Sequence, residues 1–206
     1  MKLYYSPGAC SLSPHIALLE AGLACDLVKV DLRAKKLENG DDYLKVNPKG
    51  QVPALALDSG EIVTEGPVII QMIADKVAAK NLAPARDSAE RYKLLEWLNF
   101  ITTELHKNFA PMFSDEAGED TKRFHRDMIA RRLEYVEGRM GPGPFLMGDT
   151  LTIADPYMFV MTRWADRLIG LDAWPKLAGF YAMMLQRPSV RNVLGFEGLL
   201  QKEAAG

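Results

Sequence analysis

Two rhythms of apolar positions divide the chain. Near the amino terminus, Leu3-Tyr4-Tyr5 is a short apolar run closed by Ser6-Pro7-Gly8, which predicts a strand ending in a turn. Ser11 to Ala21 carries Ile16, Leu18 and Leu19 at helical spacing, tolerates Pro14 in its first turn, and stops at Gly22. Cys25 to Asp31 alternates as a second strand. Pro53 to Leu57 and Glu61 to Thr64 flank Asp58-Ser59-Gly60 as a hairpin. Val68, Ile69, Met72, Ile73 and Val77 form one more helical stripe. Lys80 to Asp87 is polar and broken by Pro84, as a linker would be. Beyond it every pattern is helical: Ser88 to Phe113, Asp120 to Met140, a helix from Thr152, Trp174 to Arg187, and Val190 to Gly195. Gly141-Pro142-Gly143-Pro144 interrupts the series after Met140.

The first unit therefore runs β-α-β, then β-β-α, which is the thioredoxin arrangement. The expected fold class is α/β: a thioredoxin-like amino-terminal domain, residues 1–80, followed by an all-α carboxy-terminal domain, residues 87–206. An apolar content of 48% over 206 residues suffices for one large core or two small ones. A formal net charge of −2 argues against nucleic acid. The densest basic stretch, Lys122 to Arg139, is interrupted by Asp127, Glu134 and Glu137, as a solvated helix face is. No apolar run reaches the roughly eighteen residues that span a bilayer, and the start of the chain has no secretory pattern. Two cysteines are too few for a disulfide framework. These features point to a cytoplasmic protein without membrane partners. No Cys/His spacing suggests a metal and no glycine-rich motif suggests a nucleotide.

Cys10 lies between the first strand and the first helix, where the helix dipole and open N–H groups favour a thiolate. Its neighbours Gly8, Ala9 and Ser11 are small and turn-like. The alternative, an inert buried cysteine, suits Cys25 better, among Leu23, Leu27 and Val28. Ser13 stands three residues after Cys10, so a self-closing dithiol is excluded. The thiol must meet a second sulfur from outside, which favours glutathione chemistry. Val52-Pro53 precedes a strand. Its default is a trans turn, but a thioredoxin-like fold places a cis-proline here, with backbone groups open to a bound peptide. Glu65-Gly66-Pro67 opens a helix and offers an ammonium partner beside an anion site, or else routine capping. Asn99, Thr103 and His106 follow at steps of four and three, one face of an α-helix. A lone helical histidine is ordinarily structural or solvated. His15 and His125 show nothing distinctive.

The opening with Pro7-Gly8-Ala9-Cys10-Ser11 resembles that of bacterial beta-class glutathione transferases. So do Asn47 to Leu55, Thr64-Glu65-Gly66, Glu96 to Asn99 and Glu104 to Lys107. Thr152-Ile153-Ala154-Asp155 resembles the capping box of that superfamily's central carboxy-terminal helix. The resemblance spans nearly the whole chain. It implies a cytoplasmic homodimer with glutathione as co-substrate, active in detoxification, with each active site in a cleft between the domains. By this resemblance Cys10 sits beside the glutathione sulfur, with Ser11 as an alternative or auxiliary donor to the thiolate. Lys35 pairs with a carboxylate, and the Val52 backbone at Pro53 binds the cysteinyl unit. Glu65 and Gly66 hold the γ-glutamyl end. Asn99, Thr103 and His106 reach in from the helical domain, His106 with a catalytic part. Two departures are visible. Gly66 stands where many relatives have serine, and Pro156 is expected to cost the central helix a backbone bond.

The leading expectation is an enzyme that joins the glutathione thiolate to a small electrophile or displaces a leaving group. A glutathione-dependent disulfide reductase using Cys10 is the second reading. A non-catalytic binder of apolar ligands is the third.

Overall fold

Tyr4, Tyr5 and Leu3 are buried because strand β1, Lys2–Tyr5, runs through the middle of a five-stranded sheet. The computed structural model describes residues 1–200. They fall into two compact units: residues 1–83 together with the chain from Gln186 onward, and Pro84–Leu185.

In the first unit β1 pairs in parallel with β2, Asp26–Asp31, with Leu3 opposite Leu27. On its other side β1 pairs antiparallel with β4, Ala54–Ala56, with Leu3 opposite Leu55. β5, Ile62–Thr64, returns antiparallel to β4. The expected hairpin is thus present. β3, Lys36–Leu37, adds an antiparallel edge to β2 and was not foreseen. Two residues, one charged, show no alternation. The strand exists because the Asp31 carboxylate accepts the Arg33 and Ala34 amides, both at 2.9 Å, and turns the chain back. One sheet face buries Tyr4, Val30, Tyr43, Val52 and Ala54 as a cluster.

Helix α1, Leu12–Ala21, ends at Gly22, whose φ of 69° is the left-handed stop read from the sequence. α1 packs against α2, Gly66–Lys76, and against α8, Pro188–Phe196. The helical pattern of α8 predicts a place with residues 87–206, yet α8 groups with the first unit. Glu20 on α1 accepts two bonds from Arg187, at 2.9 and 3.0 Å, and one from Ser189. Periodicity reveals a helix but not which neighbour it packs on.

The second unit begins with α3, Ala89–Phe100, capped by Ser88 accepting the Arg91 amide at 3.1 Å. The single helix expected to Phe113 is interrupted. Ile101–His106 is π-helical, followed by α4, Lys107–Phe109, and a 3₁₀ turn, Ala110–Phe113. The Thr102 and Thr103 hydroxyls donate to the Leu98 and Asn99 carbonyls four residues back, competing with the backbone ladder where it widens. α5, Glu119–Arg139, buries Ile129, Leu133 and Val136 as one stripe. α6, Ala154–Ile169, is buried continuously from Ala154 to Ala165, and α7 is Pro175–Gln186.

The start of α6 corrects two expectations. Asp155 returns to Thr152 as foreseen, accepting its amide at 2.7 Å, and also accepts the Leu146 amide at 2.9 Å. The Thr152 hydroxyl, however, donates to the same carboxylate instead of capping the backbone. Pro156 is the third helical residue, where no intrahelical amide bond is due, so it costs none. Among the described residues no helix is long and apolar enough to cross a membrane.

Candidate active site

The turn Ser6–Cys10 joins β1 to α1 and is closed by a buried staple. The Ser6 amide donates to Ser11 Oγ at 3.1 Å, and Ser11 Oγ donates to the Ser6 carbonyl at 3.2 Å. Ser11 is fully buried. Its hydroxyl therefore supports the loop and is bonded to Ser6, not to Cys10. Cys10 precedes the helix and is half-buried. Its Sγ donates to the Val52 carbonyl at 3.2 Å. That bond holds the thiol against the backbone that precedes Pro53. Two amides expected to be open are also engaged: Leu12 donates to the Ala9 carbonyl and Ser13 to that of Cys10.

Cys25 precedes β2, and burial pushes its thiol up from the ordinary value. Neither cysteine forms a disulfide.

The Val52–Pro53 bond is cis. The approach to it is held by Tyr43 and Asn47, whose side chains both donate to the Gln51 carbonyl, at 2.8 and 2.7 Å. Burial pushes the Tyr43 phenol up to about 12, so it stays a donor. Pro53 leads to Gly66, where an added Cβ would lie 3.8 Å from Pro53 Cγ. Glu65 holds φ at 69°, the left-handed region that costs a side-chain-bearing residue and recurs at ligand sites. Lys49 Nζ reaches Glu65 Oε1 at 2.6 Å and Thr64 Oγ1 at 2.8 Å. Pro67 has no amide, and Val68 and Ile69 both donate to the Glu65 carbonyl. The anion site expected at this helix start is thereby narrowed to Gly66. Lys35 also has positive φ and donates to the Gly50 carbonyl at 2.8 Å.

The first unit thus connects Cys10, Val52 and Pro53 through contact, and Pro53 to Gly66. In the second unit the expected stripe divides. Asn99 and Thr103 are exposed and joined by the Thr103 hydroxyl on the Asn99 carbonyl at 3.1 Å. His106 is half-buried, with Nδ1 2.7 Å from the Tyr157 hydroxyl and its ring edge-on to Trp164. In a π turn residues five apart are hydrogen-bonded, so α-helical steps of four and three do not set this face.

The sequence gives no sign of the contacts that Lys49 and Tyr157 make, and gives His15 no part. His15 is buried and pairs with Glu197, with Nδ1 to Oε1 at 3.0 Å. A histidine on the apolar face of α1 signals that some partner exists. Nothing local names one 182 residues away.

Family models for the glutathione S-transferase amino-terminal domain and carboxy-terminal domain match residues 8–76 and 103–195. Glutathione S-transferase GstA of Escherichia coli O157:H7 is 47% identical, over 97% of this chain and 100% of its own. The chain belongs to the glutathione S-transferase family.

Among solved structures, a sphingomonad glutathione S-transferase complexed with glutathione superposes with a TM-score of 0.93 at 43% identity. The beta-class transferase of Sphingomonas chungbukensis gives 0.94 at 44%. Each alignment covers 97% of this chain and 100% of the neighbour. The resemblance to the bacterial beta class and the glutathione transferase fold therefore stand. The amino-terminal match includes Cys10, Ser11, Lys35, Val52, Pro53, Glu65 and Gly66. The carboxy-terminal match includes Thr103 and His106 and begins just after Asn99.

Proposed function

We propose that this transferase binds glutathione across Lys35, Val52, Glu65 and Gly66, with the peptide sulfur beside Cys10, and transfers it to a small electrophile. The observation that supports this reading is the 3.2 Å bond from Cys10 Sγ to the Val52 carbonyl. It brings the one thiol on a helix-initiating loop to the backbone that would pair with a cysteinyl unit. In the reaction the glutathione thiol loses its proton. Its sulfur then forms a bond to carbon, and either a leaving group departs or an activated double bond is saturated. We also propose a cytoplasmic homodimer, and roles in the reaction for Ser11, Asn99, Thr103 and His106. Ser11 acts by closing the loop.

The test incubates the protein with glutathione and a panel of aryl halides, epoxides and enals, identifying thioether products by mass. Thioether formation by wild type is the expected result. Disulfide reduction that vanishes in Cys10→Ala, with no thioether from any electrophile, would replace this reading with the reductase. The same assay on His106→Ala, Asn99→Ala and Thr103→Ala measures their roles.

A further inference from the structure

We propose that Glu197, immediately after α8, is a positioning residue for the Cys10 loop, 187 positions away along the chain. The inference rests on the reading of Cys10 as the thiol beside the glutathione sulfur. Glu197 Oε2 accepts the Gly8 amide at 2.9 Å, and Oε1 faces His15 Nδ1 at 3.0 Å. The paired side chains are 4% exposed for His15 and 0% for Glu197. Tyr5, His15 and Phe196 form an aromatic group around them, with the Phe196 ring edge-on to His15.

A buried polar contact of this kind is poor evidence for stability, since apolar residues of similar volume often serve as well. What distinguishes this one is its target. Glu197 engages a turn amide two residues before the reactive thiol. The Ser6–Ser11 staple closes that turn at its ends, and Glu197 fixes its middle, where Gly8 adopts a φ of 74°. His15, on α1, holds the carboxylate in place. The loop is thus fixed between the helix that follows it and the far end of the chain. That allows Cys10 to meet the Val52 carbonyl without searching over loop conformations.

Glu197→Gln keeps this geometry: its amide oxygen can accept from Gly8 and its amide nitrogen can donate to neutral His15. Glu197→Ala cannot. Two rates are measured well below each variant's unfolding midpoint: amide exchange at Gly8, and capture of oxidised glutathione at Cys10 by peptide mass. In Glu197→Ala, Gly8 exchange should rise about tenfold and capture should fall about fivefold or more, as loss of the acceptor for a partly buried amide implies. Glu197→Gln should stay near wild type in both. An alanine variant that captures at the wild-type rate, or a glutamine variant as slow as alanine, overturns the proposal. If Glu197→Ala does not fold, exchange in wild type decides: protection at Gly8 supports the latch, and its absence refutes it. Wild-type Cys10 capturing no oxidised glutathione overturns the reading of the thiol instead, and Gly8 exchange still reports on Glu197.

Discussion

Lys35 and Glu65, the charged residues of the proposed glutathione site, each also make a contact within the protein. Lys35 gives one of its three donors to the Gly50 carbonyl, and Glu65 shares its charge with Lys49. The Lys49–Glu65 pair is more than half exposed, so it stabilises the fold little, and under the proposed function the carboxylate is weakly held and open to the ligand's ammonium group. Lys35→Ala and Glu65→Ala should each weaken glutathione binding about tenfold or more, by loss of a bond to a charged group. Calorimetry on the folded variants measures this, and wild-type affinity in both would mean the site is elsewhere. Gly66 offers the converse experiment. An added Cβ meets only ordinary contact, 3.8 Å from Pro53, so Gly66→Ser should fold normally. Its new hydroxyl should tighten glutathione binding several-fold, on the scale of about 1 kcal/mol for one net hydrogen bond. Unchanged or weaker binding would show that the hydroxyl does not reach the ligand.

The start of α6 is where one side chain governs an element. Asp155 satisfies the Thr152 and Leu146 amides and the Thr152 hydroxyl while fully buried. Removing it orphans two buried amides and the Thr152 hydroxyl, so Asp155→Ala should destabilise by about 3 kcal/mol, more than loss of one capping bond. A urea midpoint shifted by no more than a surface substitution would contradict that accounting. At α8 the prediction concerns pH. Burial raises the Glu20 carboxyl, but bonds from Arg187 and Ser189 outweigh it and hold Glu20 below its ordinary 4.5. A depressed carboxylate stabilises the fold fully above that ordinary value, and the contribution is lost as pH falls through its own lower value. The stability difference between wild type and Arg187→Gln should therefore be constant near neutrality and shrink below about pH 4. Urea melts from pH 7 to pH 3 measure it. A difference that grows on acidification would reverse the sign and refute the assignment.

At the scale of the whole molecule, the proposed homodimer predicts a sedimentation mass of twice the 22.9 kDa chain at assay concentrations. A single-chain mass with full transferase activity would show that assembly is not needed. The sequence determined much of this protein. Leu3-Tyr4-Tyr5, the Asp58-Ser59-Gly60 turn and Gly22 wrote the strand, the hairpin and the helix stop locally, because propensity and positive φ are properties of neighbouring residues. The thiol on its loop was legible for the same reason. What only tertiary structure decided are contacts between distant segments. It placed α8 on α1, turned Cys10 toward the Val52 carbonyl, and gave His15 a partner in Glu197. A periodic pattern says which face is buried. The identity of what buries it, or of the one atom that completes a buried hydrogen bond, is fixed only when the chain has closed on itself.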